Sequence, residues 1–406
     1  MGSRTTVAID PAGTDIHGEA ERIRALGPVS EIELPGGVRA WSVTGYEAAR
    51  RVLADPRFSK DPRKHWTAFA EGTLDPDFPL IGWALMENLT TTHGEDHARL
   101  RRLVTGSFTA RRITSLRPRI AEVTARLLDG LEATGKNGPV DLRAGFAEPL
   151  PLHVICELLG VPERMRTDLF RGGEANVDTT NTSYETVTSM ERVHEIAGDL
   201  IAAKREDPED DLVSALIRAR DEDGSRLSGT ELMGTVLLLV STGTEPVKNL
   251  LTNATAELLT HAEHRAAVME GRLTWESVIE ETLRVQAPVA HLPFRFAVED
   301  VEVAGVTVPR GEPVLVHYAA VGRDPSVHGQ SADVFDPGRA DKRHLSFGHG
   351  VYRCVGMPLA RLEAEIALTM LFQRFPEMRL AVPPADLKRQ STFIMNGLAA
   401  LPIRTR

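Results

Sequence analysis

The sequence predicts a mostly α-helical fold with a smaller β portion. Three observations carry that expectation. Apolar residues recur at helical spacing through most of the chain after His93. Strand-like alternation is confined to short segments, chiefly Val301 to Val308 and Glu312 to Tyr318. No internal repeat or low-complexity linker divides the 406 residues, so one domain over residues 1–406 is expected.

The elements follow in order. Ile16 to Leu26 reads as a short helix, and Ile32 to Val43 as a hairpin turning at Pro35-Gly36-Gly37. Tyr46 to Leu53 is helical. From Ser59 to about Thr92 the chain has Pro, Gly and aromatics but no sustained period, which predicts a long irregular loop. Asp96 to Phe108, Ser115 to Leu131 and Leu152 to Leu159 are helical by spacing, and Gly160-Val161-Pro162 ends the last. Arg171 to Ser183 reads as a flexible polar stretch, and Met190 to Lys204 as a helix. Ser228-Gly229-Thr230-Glu231 is a capping box, whose Ser and Glu side chains each satisfy a free N–H at a helix start. It opens one long apolar helix from about Gly229 to His261. Another helix begins at Thr274. After the two strands, a Gly/Pro-rich loop runs from Gly322 to Gly350, and Met357 to Phe375 is the final helix.

Composition excludes several classes. A formal net charge of −10 argues against a nucleic-acid binder, which needs a basic field to meet phosphates. Two cysteines, Cys156 and Cys354, cannot build a disulfide framework, and they suit a reducing cytoplasm. No ligand set stands at zinc spacing. The N-terminal residues contain no apolar signal core, and the longest apolar runs fall far short of the ~20 residues a membrane span requires.

Chemistry concentrates in Phe347-Gly-His-Gly-Val-Tyr-Arg-Cys-Val-Gly356. A cysteine sits in a glycine-rich turn just before a long helix. Gly348, Gly350 and Gly356 permit tight turns and close approach of a flat ligand. Free N–H groups and the dipole at the helix start favour a thiolate. Phe347, Gly348, Gly350, Cys354 and Gly356 resemble the haem-binding signature of the cytochrome P450 family, F-G-x-G-x-x-x-C-x-G. The similarity runs from about residue 8 to the C-terminus and is greatest to the soluble actinobacterial class of secondary metabolism.

The resemblance implies a P450 fold with haem b between the long central helix and the Cys-loop helix, and Cys354 as the iron ligand. It implies that Glu281 and Arg284, an E-x-x-R pair one helical turn apart, form a structural network with Arg339. His97 and Arg101, also one turn apart, are implied on the haem propionates together with Arg295, His344 and Arg353. Cys156 is implied to be an inert core residue.

The sequence departs from the family twice. Thr242, Gly243, Thr244 and Glu245 fall on the central-helix pattern A/G-G-x-E/D, but Pro246 stands where the family carries an alcohol-bearing Thr. That Thr orders water and delivers protons during oxygen activation, whereas proline has neither hydroxyl nor N–H and kinks a helix at roughly 3 kcal/mol. Two outcomes stay open. Thr242, Thr244 or ordered water delivers the protons and hydroxylation proceeds. Alternatively, oxidation begins at an aromatic N–H or O–H and ends in C–C or C–N coupling, as with Trp- or Tyr-containing cyclic dipeptides. The second departure is Tyr352, two residues before Cys354, where the family usually has His or Arg.

By resemblance, the substrate pocket draws on the Ser59–Thr92 loop through Trp66, Phe69, Trp83, Leu85, Met86 and Leu89. Asn176 to Ser183, the helix near Val240, and Val289 with Leu292 add to it. Phe393, Ile394 and Met395 complete it, with His291 and Asn396 as polar groups to orient a substrate. No flavin fingerprint or ferredoxin-type Cys cluster is present, so electrons are expected from a ferredoxin and its reductase. Their expected docking face is Arg353, Arg361 and the basic Arg99–Arg102 segment. The expected activity is monooxygenation of a small, largely apolar natural product. A non-catalytic haem-binding protein is the rival of a different class.

Overall fold

The computed structural model describes residues 6–75, 78, 80–166, 183–221 and 224–406; for 183–190 and Pro293 it describes the backbone alone. Asn176 to Ser183 and the polar stretch before it therefore fall outside the described side chains.

Helices dominate. The N-terminal part carries α1 (Ile16–Ala25) and α2 (Tyr46–Ala54) beside a six-stranded sheet. That sheet contains β1 (Val7–Ala8), β2 (Val29–Leu34), β3 (Val38–Val43), β4 (Phe58–Ser59), β6 (His291–Ala297) and β9 (Pro313–His317), in the order β1-β2-β3-β9-β6-β4. The hairpin β2–β3 turns at Pro35-Gly36-Gly37, where Gly36 and Gly37 take φ of +83° and +74°. β3 and β9 pair in parallel, so the N-terminal hairpin and the late strands share one sheet although ~270 residues of chain separate them. β5 (Val140–Asp141), β10 (Arg379–Leu380) and β11 (Pro402–Arg404) form a small sheet, and β7 (Val301–Val303) pairs with β8 (Val306–Val308).

The helical layer comprises α3 (Gly94–Ser107), α4 (Arg117–Gly135), α5 (Pro149–Leu159), α6 (Ser183–Glu206), α7 (Gly229–Thr242), α8 (Glu245–Thr260), α9 (Trp275–Val285) and α10 (Met357–Arg374), with shorter helices between. Its apolar faces merge into one large core, in which Cys156 is fully buried. Burial pushes that thiol up to about 12, so it is unreactive. Among the described residues no helix is long and apolar enough to cross a membrane.

Three expectations need correction. The single helix from Gly229 to His261 is two, α7 and α8, separated at Gly243 and Thr244. Pro246 is the physical reason: lacking an N–H, it cannot continue the ladder, and its ring crowds the preceding turn. Because the chain restarts at Glu245, Pro246 lies in the first turn of α8, where proline is well tolerated. The Ser59–Thr92 segment is less irregular than expected, with short helices at Pro62–His65, Thr67–Ala70 and Ile81–Leu85. Strand β6 was not anticipated, because Pro293 interrupts its pattern. A register shift between Leu292 and Arg295 accommodates the proline.

Candidate active site

Cys354 ends a turn built by two glycines in the left-handed region. Gly348 and Gly350 both have φ +71°, and a Cβ at Gly350 would sit 2.7 Å from the Leu53 carbonyl oxygen. The turn closes with the Gly348 N–H on Leu345 O at 2.7 Å and the Cys354 N–H on Phe347 O at 2.8 Å. Cys354 is exposed in the chain. Desolvation by the surrounding protein pushes its thiol up, and the backbone N–H groups of Gly356 and Met357 and the charge of Arg101 pull it back. Those N–H groups head α10, so the helix start faces the sulfur.

Beside the turn stand basic groups without counter-charges. His97 and Arg101 lie one turn apart on α3, and Arg295 on β6 places its guanidinium 4.9 Å from the Tyr352 ring centre. The His97 ring is 4.0 Å from the Tyr352 ring. Its buried Nε2 has no hydrogen-bond partner. Burial, then Arg101, pushes His97 down to about 4. Lys60, at the end of β4, is 6% exposed, and burial and Arg295 bring its ammonium down to about 7. Among the described residues no carboxylate pairs with His97, Arg101, Arg295 or Lys60. Like charges gathered in a buried place repel and are costly to desolvate, so the arrangement suits a dianion. A thiol held by two N–H groups and a buried basic cluster beside it fit a haem with two propionates.

The Glu281–Arg284 pair supports the turn from behind. Both side chains are fully buried. Arg284 donates Nε and Nη2 to Glu281 at 2.8 and 2.6 Å, and reaches the carbonyls of Gly322, Ala332 and Val334 at 2.7, 2.5 and 2.9 Å. Arg339 Nε lies 3.4 Å from Glu281 Oε1, and the Asp336 N–H donates to the same oxygen at 2.9 Å. The loop before the cysteine turn is thus anchored to α9.

At the α7–α8 break, Thr242 is exposed, and its hydroxyl donates to Leu238 O at 2.7 Å. Gly243 packs on Ile155, 2.9 Å from where a Cβ would stand. Thr244 precedes α8 without a side-chain cap bond. Glu245 is buried between Arg143 (3.0 Å), Lys248 (2.6 Å) and Gln390 (2.6 Å). Burial opposes its ionisation, but Lys248 and Arg143 outweigh that and hold it below its ordinary value. Glu245 therefore joins the restarted helix to the Arg143 segment and offers no free proton.

Other expected site residues lie elsewhere. His344 does not reach the basic cluster: its Nε2 bonds Glu280 at 3.1 Å, and its Nδ1 accepts from the Ser346 N–H. The same Glu280 binds Arg361 through two 2.7 Å bonds, so Arg361 is neutralised under Phe347. Arg99 pairs with Glu231 and Arg102 with Asp221, which removes most of the basic face expected there. Arg353 is exposed, and its guanidinium meets the Met357 sulfur at 3.0 Å.

Trp66 is core, packed against Phe78, Phe294 and Phe296. Leu89, Val240, Phe393, Ile394 and Met395 are likewise buried. Phe69, Trp83, Met86 and Val289 are half-buried, while Leu85 and Leu292 are 55% and 37% exposed. His291 is fully buried, its ring 3.7 Å from that of His317. Asn396 is fully buried and bound to Gln286 and Arg389. Lys60 and Arg143 escaped sequence reasoning. A lone lysine in a loop carries no spacing signal, and Arg143 is recognisable only by its partner 102 residues away.

Comparison with known proteins gives consistent findings. The family model for cytochrome P450 matches residues 178–396. The chain is 46% identical to the 2-hydroxy-5-methyl-1-naphthoate 7-hydroxylase of Streptomyces carzinostaticus, over 98% of this chain and 97% of that one. It superimposes on CYP154A1 of Streptomyces coelicolor A3(2) with a TM-score of 0.92 at 42% identity, covering 99% and 100% of the two chains. A third neighbour is CxnD, a cytochrome P450 enzyme for C–S bond formation in chuangxinmycin biosynthesis. It has a TM-score of 0.89 and 34% identity, over 100% of this chain and 98% of that one.

Proposed function

Since this chain belongs to the cytochrome P450 family, and so is a haem-thiolate oxidoreductase, we propose that it hydroxylates a small, largely apolar natural product. One observation carries the reading: Cys354 stands at the start of α10 beside buried basic groups that have no carboxylate partner among the described residues. Cys354 would hold the iron, and His97, Arg101 and Arg295 would hold the propionates. When bound, the haem supplies the reductive activation of dioxygen.

The protein's own residues do the rest. Gly348 and Gly350 let the backbone turn tightly enough to present the sulfur. The Glu281–Arg284–Arg339 network fixes that turn. Leu85 and Leu292 offer apolar surface to a substrate. Thr244, which makes no side-chain cap bond at the helix break, replaces the missing alcohol at position 246 as the group that orders water for proton delivery. A ferredoxin with its reductase supplies electrons, approaching Arg353 and the exposed Val351 next to the cysteine turn.

A second reading has its own support. Pro246 removes the usual alcohol, and a neighbour of similar fold is described as forming C–S bonds. Coupling of aromatic substrates would then replace oxygen insertion.

The test has two stages. The reduced, carbon monoxide-treated protein should absorb near ~450 nm, and Cys354→Ser should lose that band. Turnover with a surrogate ferredoxin system, on a panel including 2-hydroxy-naphthoates, should then give a product heavier by one oxygen. A product that joins two molecules with loss of two hydrogens would favour coupling instead. NADPH oxidation with no product from any panel member would count against both.

A further inference from the structure

Lys60 stands in the basic cluster beside the cysteine turn, and its setting there is unusual. It is a buried ammonium with no carboxylate partner among the described residues. Its neighbour Asp61 faces the other way, capping Pro62–His65 through the N–H groups of Arg63 and Lys64. Of the three Lys60 donors, one makes a long 3.3 Å bond to the Phe294 carbonyl. The ammonium lies 6.0 Å from the Tyr352 ring centre, and Arg295 stands 4.9 Å from the same ring. Both cations thus gather around one aromatic side chain, where they repel each other.

Tyr352 cannot serve as a donor to an anion there. A phenol has one hydrogen to give and two lone pairs to accept with. Its hydrogen goes to Thr92 O at 2.7 Å. Its oxygen also meets His93 Nδ1 at 3.1 Å. The phenol hydrogen is thus committed to protein, and the ring acts as a spacer between the two cations.

We propose that Lys60 binds a haem propionate, supplying with Arg295 the positive charge, beside a hydrogen bond from His97, that Tyr352 cannot. The inference rests on the haem-thiolate reading above. A carboxylate inserted among these groups would satisfy the free Lys60 donors and the orphaned His97 Nε2 together, and would cancel the Lys60–Arg295 repulsion.

The test uses the holoenzyme with Lys60→Met, Lys60→Gln and Lys60→Arg. Haem transfer to an excess of apomyoglobin should be about tenfold faster or more in the Met and Gln variants, for loss of a charge-assisted bond. Their ferric/ferrous midpoint potential should move in the negative direction, because removing a nearby cation favours the more positive ferric state. The Arg variant should restore the potential. The ~450 nm band should persist in all of them, since the sulfur ligand is untouched. Wild-type rates and potentials in the Met and Gln variants would overturn the proposal. So would faster haem loss at an unchanged potential, which would report packing alone. Absence of haem from the wild-type protein would instead sink the underlying reading.

Discussion

Glu245→Gln tests whether the break in the central helix is held by ion pairing. Glu245 Oε1 accepts from Arg143 at 3.0 Å and Gln390 at 2.6 Å, and Oε2 meets Lys248 at 2.6 Å. Arg143 and Lys248 are both buried. Removing one partner of a buried pair costs about 3–5 kcal/mol, because a desolvated charge is left uncompensated. Two features reduce that here. Glutamine keeps an acceptor for Arg143, which also donates to Asn249 Oδ1 at 3.0 Å, and Lys248 retains Glu148 at 3.7 Å. The expected loss is therefore about 2–4 kcal/mol at pH 7.5, read as a fall in the urea midpoint by circular dichroism. The sign with pH follows from the lowered carboxyl. Its contribution is complete above the ordinary glutamate range and is lost as pH falls through the folded value. The gap between wild type and variant should narrow as the medium is acidified. A loss below about 1 kcal/mol at pH 7.5, or a gap independent of pH, would refute the ion-pair account.

Glu19 gives the opposite pH dependence. It is 3% exposed, and burial raises it from 4.5 to about 7. Native stability should therefore drop between those pH values, by up to ~3 kcal/mol at 1.36 kcal/mol per unit. Glu19→Gln should be more stable than wild type at pH 8 and equal to it near pH 4.5; a uniform gain across a pH series of urea titrations would contradict this. Arg284→Lys replaces five hydrogen bonds with at most three, at about 1–3 kcal/mol for each buried acceptor left unpaired, and should leave little protein with the ~450 nm band. Pro246→Ala should shift the thermal midpoint by only a few degrees, since proline already lies in a first turn. A stabilisation near the ~3 kcal/mol of an interior proline would mean that α7 and α8 had fused.

The parts legible in the sequence are those that short spacings encode. Residues 348, 350, 354 and 356 specify their turn locally, because positive φ and a helix start within two residues are properties of the segment itself. The i, i+3 pair at 281 and 284 and the i, i+4 pair at 97 and 101 are equally local. Long-range partners were not legible. His344 reads as an anion ligand until Glu280 is found beside it, and Arg361 reads as exposed charge until the same carboxylate claims it. Trp66 reads as a pocket aromatic, and only the rings of β6 show it to be core. Strand β6 was hidden by Pro293, yet it supplies both Arg295 and Leu292.

The two departures at positions 246 and 352 share a physical logic. Each puts a residue unable to do the expected polar task at a sensitive place, and each is met by a rearrangement nearby. Pro246 forces a restart of the helix, which leaves Thr244 without a side-chain cap bond and draws Glu245 into a buried pair with Arg143. Tyr352 commits its hydroxyl to Thr92 and His93, and Lys60, beside the same ring, is the residue proposed to carry the charge instead. In both places the compensating residue is adjacent in space, because a buried polar deficit can be corrected only within hydrogen-bonding reach. The pairs 246 with 244 and 352 with 60 should therefore be energetically coupled, whereas 246 and 352, which share no partner, should be additive when their substitutions are combined.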